Sequence, residues 1–372
     1  MRESNIKAFF ALTSAGLWER EVNLAEYGVI DYSEVYKLAS EQSITGLVAA
    51  GLEHVEDVKV PKEELLTFIG DALLLEHRNK SMNVFVAELI EKLRKAGIYT
   101  LLVKGQGIAQ CYERPLWRAC GDIDLFLSDE NYTKAAVYLK PLAFTINEER
   151  PREKHLAMTI DGWEVELHGR LYGGFSKRVE KELDSVYDKA FCGGDVRSWI
   201  NGDTQVFLLS AGIDVFYVFT HILQHFYKEG VGLRQICDWC RLLWTYRDTM
   251  DVLMLESRIK KAGLMTAWLA FGAYAVDYLG MPVEAMPLYS DDKRWKRKAK
   301  RINIFILSVG NMGHNRDASY FSKYPYLVRK VISMFRRIGD LIDHSKIFPI
   351  DSWRFFPYII FNGLKSAVRG EG

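Results

Sequence analysis

What the sequence lacks narrows its class before any motif is read. With 49 Lys and Arg against 48 Asp and Glu, it has almost no net charge, so nothing marks nucleic acid as an obligate partner. Its five cysteines (Cys111, Cys120, Cys192, Cys237 and Cys240) are odd in number and follow no framework spacing. A disulfide scaffold is thereby excluded, and a reducing, cytoplasmic setting is expected. Cys237 and Cys240 form a CxxC, but no second pair completes the four ligands of a structural zinc site, so both read as buried thiols. No run approaches the ~18 apolar residues of a membrane span. "FFPYIIF" near the C-terminus is short and broken by Pro357, and no membrane is expected as a partner. At the N-terminus Ile6, Phe9, Phe10, Thr13 and Leu17 follow helical spacing into a charged segment. That predicts an amphipathic helix, not a signal peptide. Internal repeats and low-complexity linkers are also missing, which implies units packed together.

What is present is an ordinary apolar fraction over 372 residues, enough for two or three domains around a substantial core. Residues 1–95 show apolar positions three and four apart, predicting helices that stop near Gly97. The period then changes. "IYTLLV" (98–103) predicts a strand, "KGQG" a turn and "IAQCYE" a helix start. "GDIDLFLS" (121–128) predicts a strand, the stretch after it a helix, and "HLAMTI" with "WEVELHGRLY" a hairpin about Asp161-Gly162. From Thr204 to about Tyr278 the pattern reads as helix, broken at "KEGVGLRQ". Residues 302–309 predict a strand or helix, and the tail after 320 reads as helical, aromatic and basic. The basic run "KRWKRKAKR" is expected to be a solvated helix face. The fold class expected is α+β: a small mixed sheet in 96–200, between helical units at 1–95 and 201–372.

Asp122 and Asp124 stand two apart on a predicted strand, so both point to one face while Ile123 and Leu125 point to the other. Two like charges side by side repel, and such a pair calls for a cation or for water. Three features favour a cation. A strand runs into Lys104-Gly105-Gln106-Gly107, where glycine permits close backbone approach to an anion. "WEVELHG" puts Glu164, Glu166 and His168 on one strand face. Arg118 precedes Asp122 by four residues. Two aspartates with a carboxylate from a neighbouring strand suit a two-metal phosphoryl-transfer site, with two Mg²⁺ expected and Mn²⁺ the alternative.

"LLVKGQGIAQCYERPLWRACGDIDLFL" followed by "WEVELHGRL" resembles the DNA polymerase β-like nucleotidyltransferase superfamily, and within it a bacterial branch of uncharacterised nucleotidyltransferases. The match rests on Lys104, Gly105, Arg118, Asp122, Asp124, Glu166 and His168. It departs where the superfamily's small Gly-Ser turn is Lys-Gly-Gln and where Glu166 replaces the commoner Asp. The resemblance implies a polymerase β-like core that transfers a nucleoside monophosphate from an NTP to an acceptor hydroxyl, on a small molecule or a protein. Asp122, Asp124 and Glu166 would hold metal, with Glu166 a candidate base. Lys104, Gly105 and Arg118 would steady the triphosphate, and His168 would orient a carboxylate. Arg234, on the helical unit that closes over the nucleotide, is a further contact candidate, although an i,i+4 pair with Asp238 would also account for it. His221 and His225 share a helix face, with packing or substrate contact expected. Two other readings stand beside this one: a binding module that has lost turnover, and a toxin–antitoxin-type enzyme acting on RNA or protein.

Overall fold

The computed structural model describes residues 2–150, 153–228, 230–311 and 324–368. Four helices open the chain: α1 (Glu3–Trp18), α2 (Tyr32–Glu41), α3 (Thr45–Leu52) and α4 (Lys62–Lys95). The α/β segment follows, with β1 (Leu101–Val103), α5 (Gly105–Ala109), β2 (Asp122–Phe126), α6 (Asp129–Leu139), β3 (Thr145–Ile146), β4 (His155–Ile160), β5 (Trp163–His168), α7 (Lys177–Tyr187), β6 (Val196–Asn201) and β7 (Thr204–Leu209). Among the described residues, seven α-helices follow: α8 (Ala211–Lys228), α9 (Leu233–Thr245), α10 (Val252–Ala262), α11 (Met265–Leu279), α12 (Lys293–Val309), α13 (Tyr326–Ile347) and α14 (Pro349–Val368).

The fold is α+β. One mixed sheet has the order β3-β4-β5-β2-β1-β7-β6, with β2 parallel to β5, β1 parallel to β7, and the remaining pairs antiparallel. The period-2 rule sorts its side chains into two cores. Ile123, Leu125, Val165 and Leu167 pack with Val86, Leu89 and Leu93 of α4 and with Ala135 and Leu139 of α6. On the other face Leu101, Val103 and Phe126 join a larger core that includes α1, α3, α8, α9 and α11. The carboxylates of β2 and β5 sit on this second face, under α8 and α9.

Two sequence expectations change, and the strand-or-helix alternative at 302–309 is decided. Thr204–Leu209 is not the start of a helix but the strand β7, closed onto β6 by the two-residue loop Gly202-Asp203. Helix α5 begins at Gly105, inside the segment predicted as a turn. Residues 302–309 are helical, because α12 runs unbroken from the basic segment to Val309. Of the tail after 320, residues 321–323 and 369–372 lie outside the described residues. Cys237 and Cys240 are free and fully buried on α9, where burial pushes both thiols up.

Glu180 on α7 is a buried carboxyl with incomplete compensation. Its Oε1 accepts from Gly173 N at 3.1 Å and Gly174 N at 2.7 Å, while its Oε2 has no hydrogen-bond partner and lies 3.9 Å from Arg170 Nη2. Burial pushes its pKa from 4.5 to about 7. The native state therefore keeps a proton that the unfolded chain releases between these values, and stability falls as pH rises through that window. The loss is about 3 kcal/mol by linkage. Glu180→Gln, which keeps the acceptor oxygen, should flatten this component of a urea-denaturation series measured from pH 5 to pH 8.

Candidate active site

The site is assembled at the centre of the sheet, where β2 lies between β1 and β5. In the parallel register Asp122 stands opposite Glu164 and Asp124 opposite Glu166, so the four carboxylates share one face. Glu164 is exposed at the rim, whereas Asp124 is almost fully buried. Carboxylate oxygens of Asp122, Asp124 and Glu166 lie within 4.8 Å of one another.

A half-buried lysine and two imidazoles answer part of this charge. Lys104 Nζ lies 2.8 Å from Asp124 Oδ1. His168 Nε2 lies 2.8 Å from that same oxygen and 3.3 Å from Glu166 Oε2, and His155 Nε2 reaches Glu166 Oε2 at 3.0 Å. Burial opposes every charge here, but the mutual contacts outweigh it. Lys104 and His168 are held above their ordinary values, and Asp124 and Glu166 below theirs. Asp122 differs: the Asp124 charge beside it, and then burial, push its carboxyl up. Within the cluster Asp122 is the carboxylate whose charge is not compensated.

The backbone that delivers Lys104 is strained. It has a φ of 57°, a region that residues with a Cβ seldom adopt, and Gly105 follows at 41°. A Cβ on Gly105 would meet Cys120 Sγ at 3.3 Å and the Asp122 carbonyl at 3.4 Å, so the turn fits against β2 only as glycine. The loop that carries Arg118 is anchored by Asn79 of α4, whose Nδ2 donates to the carbonyls of Leu116 (2.7 Å) and Arg118 (2.9 Å).

Arg118 does not reach either aspartate of β2. It forms a buried two-pronged pair with Asp238 of α9, Nε to Oδ1 at 3.0 Å and Nη2 to Oδ2 at 2.6 Å, and Tyr112 Oη donates to the same Oδ1 at 2.8 Å. The i,i+4 account of Arg234 is not what the structure shows, because Asp238 is taken by Arg118. Arg234 Nη1 instead donates to the Ala119 carbonyl at 3.1 Å. Lys104, Gly105, Arg118, Asp122, Asp124, His221 and Arg234 all border one cleft of about 50 Å³ between the sheet and helices α8 and α9. Arg118 Nη1 and Arg234 Nε are buried there without a hydrogen-bond partner. His221 faces the cleft from α8, 3.2 Å from His225; burial, followed by the Lys104 charge, holds it well below its ordinary value and so neutral.

His155 and Tyr112 were missed in the sequence, and Asp238 was matched there to Arg234 instead of Arg118. For His155 a signal existed. The two-residue loop Asp161-Gly162 fixes the register of its hairpin, which places His155 opposite His168. For Asp238 none existed, since its partner lies 120 residues away.

A divalent cation fits this donor set. Oxygen ligands from two strands converge, one of them is destabilised by its like-charged neighbour, and hard cations prefer such oxygens. Three converging carboxylates beneath a cleft edged with lysine and arginine, on a mixed sheet flanked by helices, are the marks of a nucleotidyltransferase. The chain belongs to a family described as an uncharacterised nucleotidyltransferase, whose model matches residues 29–280. No curated protein and no solved structure matches it.

Proposed function

We propose that the protein transfers a nucleoside monophosphate from an NTP to an acceptor hydroxyl and releases pyrophosphate. The observation that carries this reading is the pairing of three carboxylates within 4.8 Å with a cleft bordered by the buried Arg118 and the half-buried Arg234, each with a buried N–H that has no hydrogen-bond partner. Asp122, Asp124 and Glu166 would hold Mg²⁺ or Mn²⁺, which would neutralise phosphate charge and polarise the phosphoryl oxygens. Lys104, Gly105, Arg118 and Arg234 would receive the triphosphate. His168 and His155 would fix the Glu166 carboxylate in orientation, as imidazoles beside metal-binding groups do. Glu166 suits holding charge better than accepting a proton, because its two imidazole partners keep it far below the usual carboxylate range. His221, kept neutral beside the cleft, is a poor base for the same reason, and it borders the cleft as an uncharged group able to hydrogen-bond.

One observation favours a second reading, a nucleotide-binding module without turnover: Lys104 already occupies the Asp124 oxygen that a metal would use. Thermal unfolding with each of the four NTPs, with and without Mg²⁺, separates the two. A Mg²⁺-dependent gain of about 2.7 kcal/mol at ~100 times Kd, together with pyrophosphate release when hydroxyl acceptors are supplied, is the result expected. Stabilisation by an NTP that ignores Mg²⁺ would favour the module without turnover.

A further inference from the structure

Charge is divided unevenly along the chain. From Lys293 onward there are 17 Lys and Arg against 5 Asp and Glu, whereas the first 292 residues carry 32 against 43. The near-zero total therefore conceals a basic end of net charge +12 on an acidic body of net charge −11. This end, α12 to α14, lies beyond the residues shared with the family.

Helix α13 has two apolar faces. Leu341, His344 and Ile347 are buried against the body. Val328, Val331, Phe335, Ile338 and Ile342 are exposed, at 42 to 65% of their surface. Their spacing places all five within about 80° of arc, one row along the helix. Helix α14 repeats the pattern: Asp351, Ser352, Phe355 and Ile359 are buried, while Ile350, Trp353 and Ile360 are exposed, Trp353 at 81%. The outward face of a helix in water is ordinarily polar. These two faces carry aliphatic and aromatic side chains.

Basic side chains are exposed on the neighbouring helix and around α14. Lys293, Arg297 and Lys300 are exposed on α12, and that helix is tied to the end of α13 by Lys298 and Arg301, which donate to the carbonyls of Ile347 and Lys346. Beside α14 an open cleft of about 850 Å³ is lined by Lys177, Arg178 and Arg354 together with Phe355, Pro357 and Tyr358.

We propose that α12 to α14 bind the surface of an anionic phospholipid bilayer, with the apolar rows at the headgroup boundary and the basic side chains on lipid phosphates. Charge complementarity selects this occupant. A second copy packed through the same face would bring two strongly basic surfaces together, and the row on α13 is aliphatic but for Phe335, which leaves a nucleic acid no series of rings to stack on. The expectation that no membrane is a partner rested on the lack of a spanning run. Among the described residues no helix is long and apolar enough to cross a membrane, and surface binding requires none.

The test is co-sedimentation of the full chain with vesicles of phosphatidylcholine alone or of phosphatidylcholine and phosphatidylglycerol in equal parts. Binding to the anionic vesicles should exceed binding to the neutral ones by about tenfold or more at low salt, and should weaken as salt is added. Phe335→Ser with Ile338→Ser should abolish it without lowering the melting temperature, since both side chains are exposed. Equal binding to both vesicle types, or none to either, would overturn the proposal. So would retention of binding by the double variant, or a wild-type dimer that the variant converts to monomer.

Discussion

Asp122→Asn should make the free protein more stable and, at the same time, abolish Mg²⁺-dependent NTP binding. The side chain stands beside Asp124, whose charge is the largest cause of its raised pKa, followed by burial. Lys104 and His168 both contact Asp124, and among the described residues Asp122 has no ion pair, only the more distant charges of Lys104 and Arg234. A neutral amide of the same shape removes that repulsion and disturbs neither contact. The expected gain is of the order of 1 kcal/mol at neutral pH. A residue kept at a cost to stability belongs to a ligand, here a cation shared with Asp124 and Glu166. Melting curves of wild type and variant, each with and without Mg²⁺ and an NTP, read both effects from one plate. A variant that is destabilised, or that still gains stability from Mg²⁺ and the NTP, would show that Asp122 is a structural residue.

Asp238→Ala should be the most damaging single change near the cleft. It leaves the Arg118 guanidinium, buried at 5% side-chain exposure, without its carboxylate, and it strips Tyr112 Oη of an acceptor. Removing one partner of a buried pair costs about 3 to 5 kcal/mol, because the other charge is stranded out of water. Arg118→Met combined with Asp238→Leu should recover most of that loss, since well-packed apolar residues often replace a buried pair at little cost. Urea unfolding of the three variants measures this directly. The recovered double variant should still bind NTP more weakly than wild type, because the N–H that Arg118 offers the cleft is gone. Full NTP affinity in that variant would confine Arg118 to the ion pair. Arg118 would then join α9 to the loop before β2 and do nothing more.

Much of the site could be read in advance because its signals are local. Alternation in "DIDLF" and "WEVELH" put the carboxylates on common faces, and the parallel register then set Asp124 beside Glu166. Local signals also held two things that went unread. The Asp161-Gly162 loop determines that residues whose numbers sum to 323 face each other, so His155 could have been placed at Glu166 by way of His168. The Gly202-Asp203 loop after "VRSWIN" marks a hairpin in the same way, yet the apolar run of β7 leads into α8 with only Ser210 between, and a continuous apolar run does not distinguish a buried strand from a helix. The partner of Arg118 could not be read at all. An ion pair spanning 120 residues leaves no periodic trace, and the nearer candidates, Asp122 and Asp124, follow it in the sequence.

The packing of α1 carries a consequence for synthesis. Its Ser14 and Trp18 side chains donate to the carbonyl of Leu279, up to 265 residues further along, and Arg241 donates back to the carbonyl of Leu17. At ~5 to 20 residues per second, α1 leaves the ribosome roughly 13 to 50 seconds before α11 does. For most of that interval Phe9, Phe10 and Leu17, all buried in the finished protein, have chiefly α2 and α3 to cover them, until α9 and then α11 emerge. The nascent chain is therefore most exposed to chaperones, and to misassociation with its neighbours, at α1, and that exposure ends only when α11 has left the ribosome.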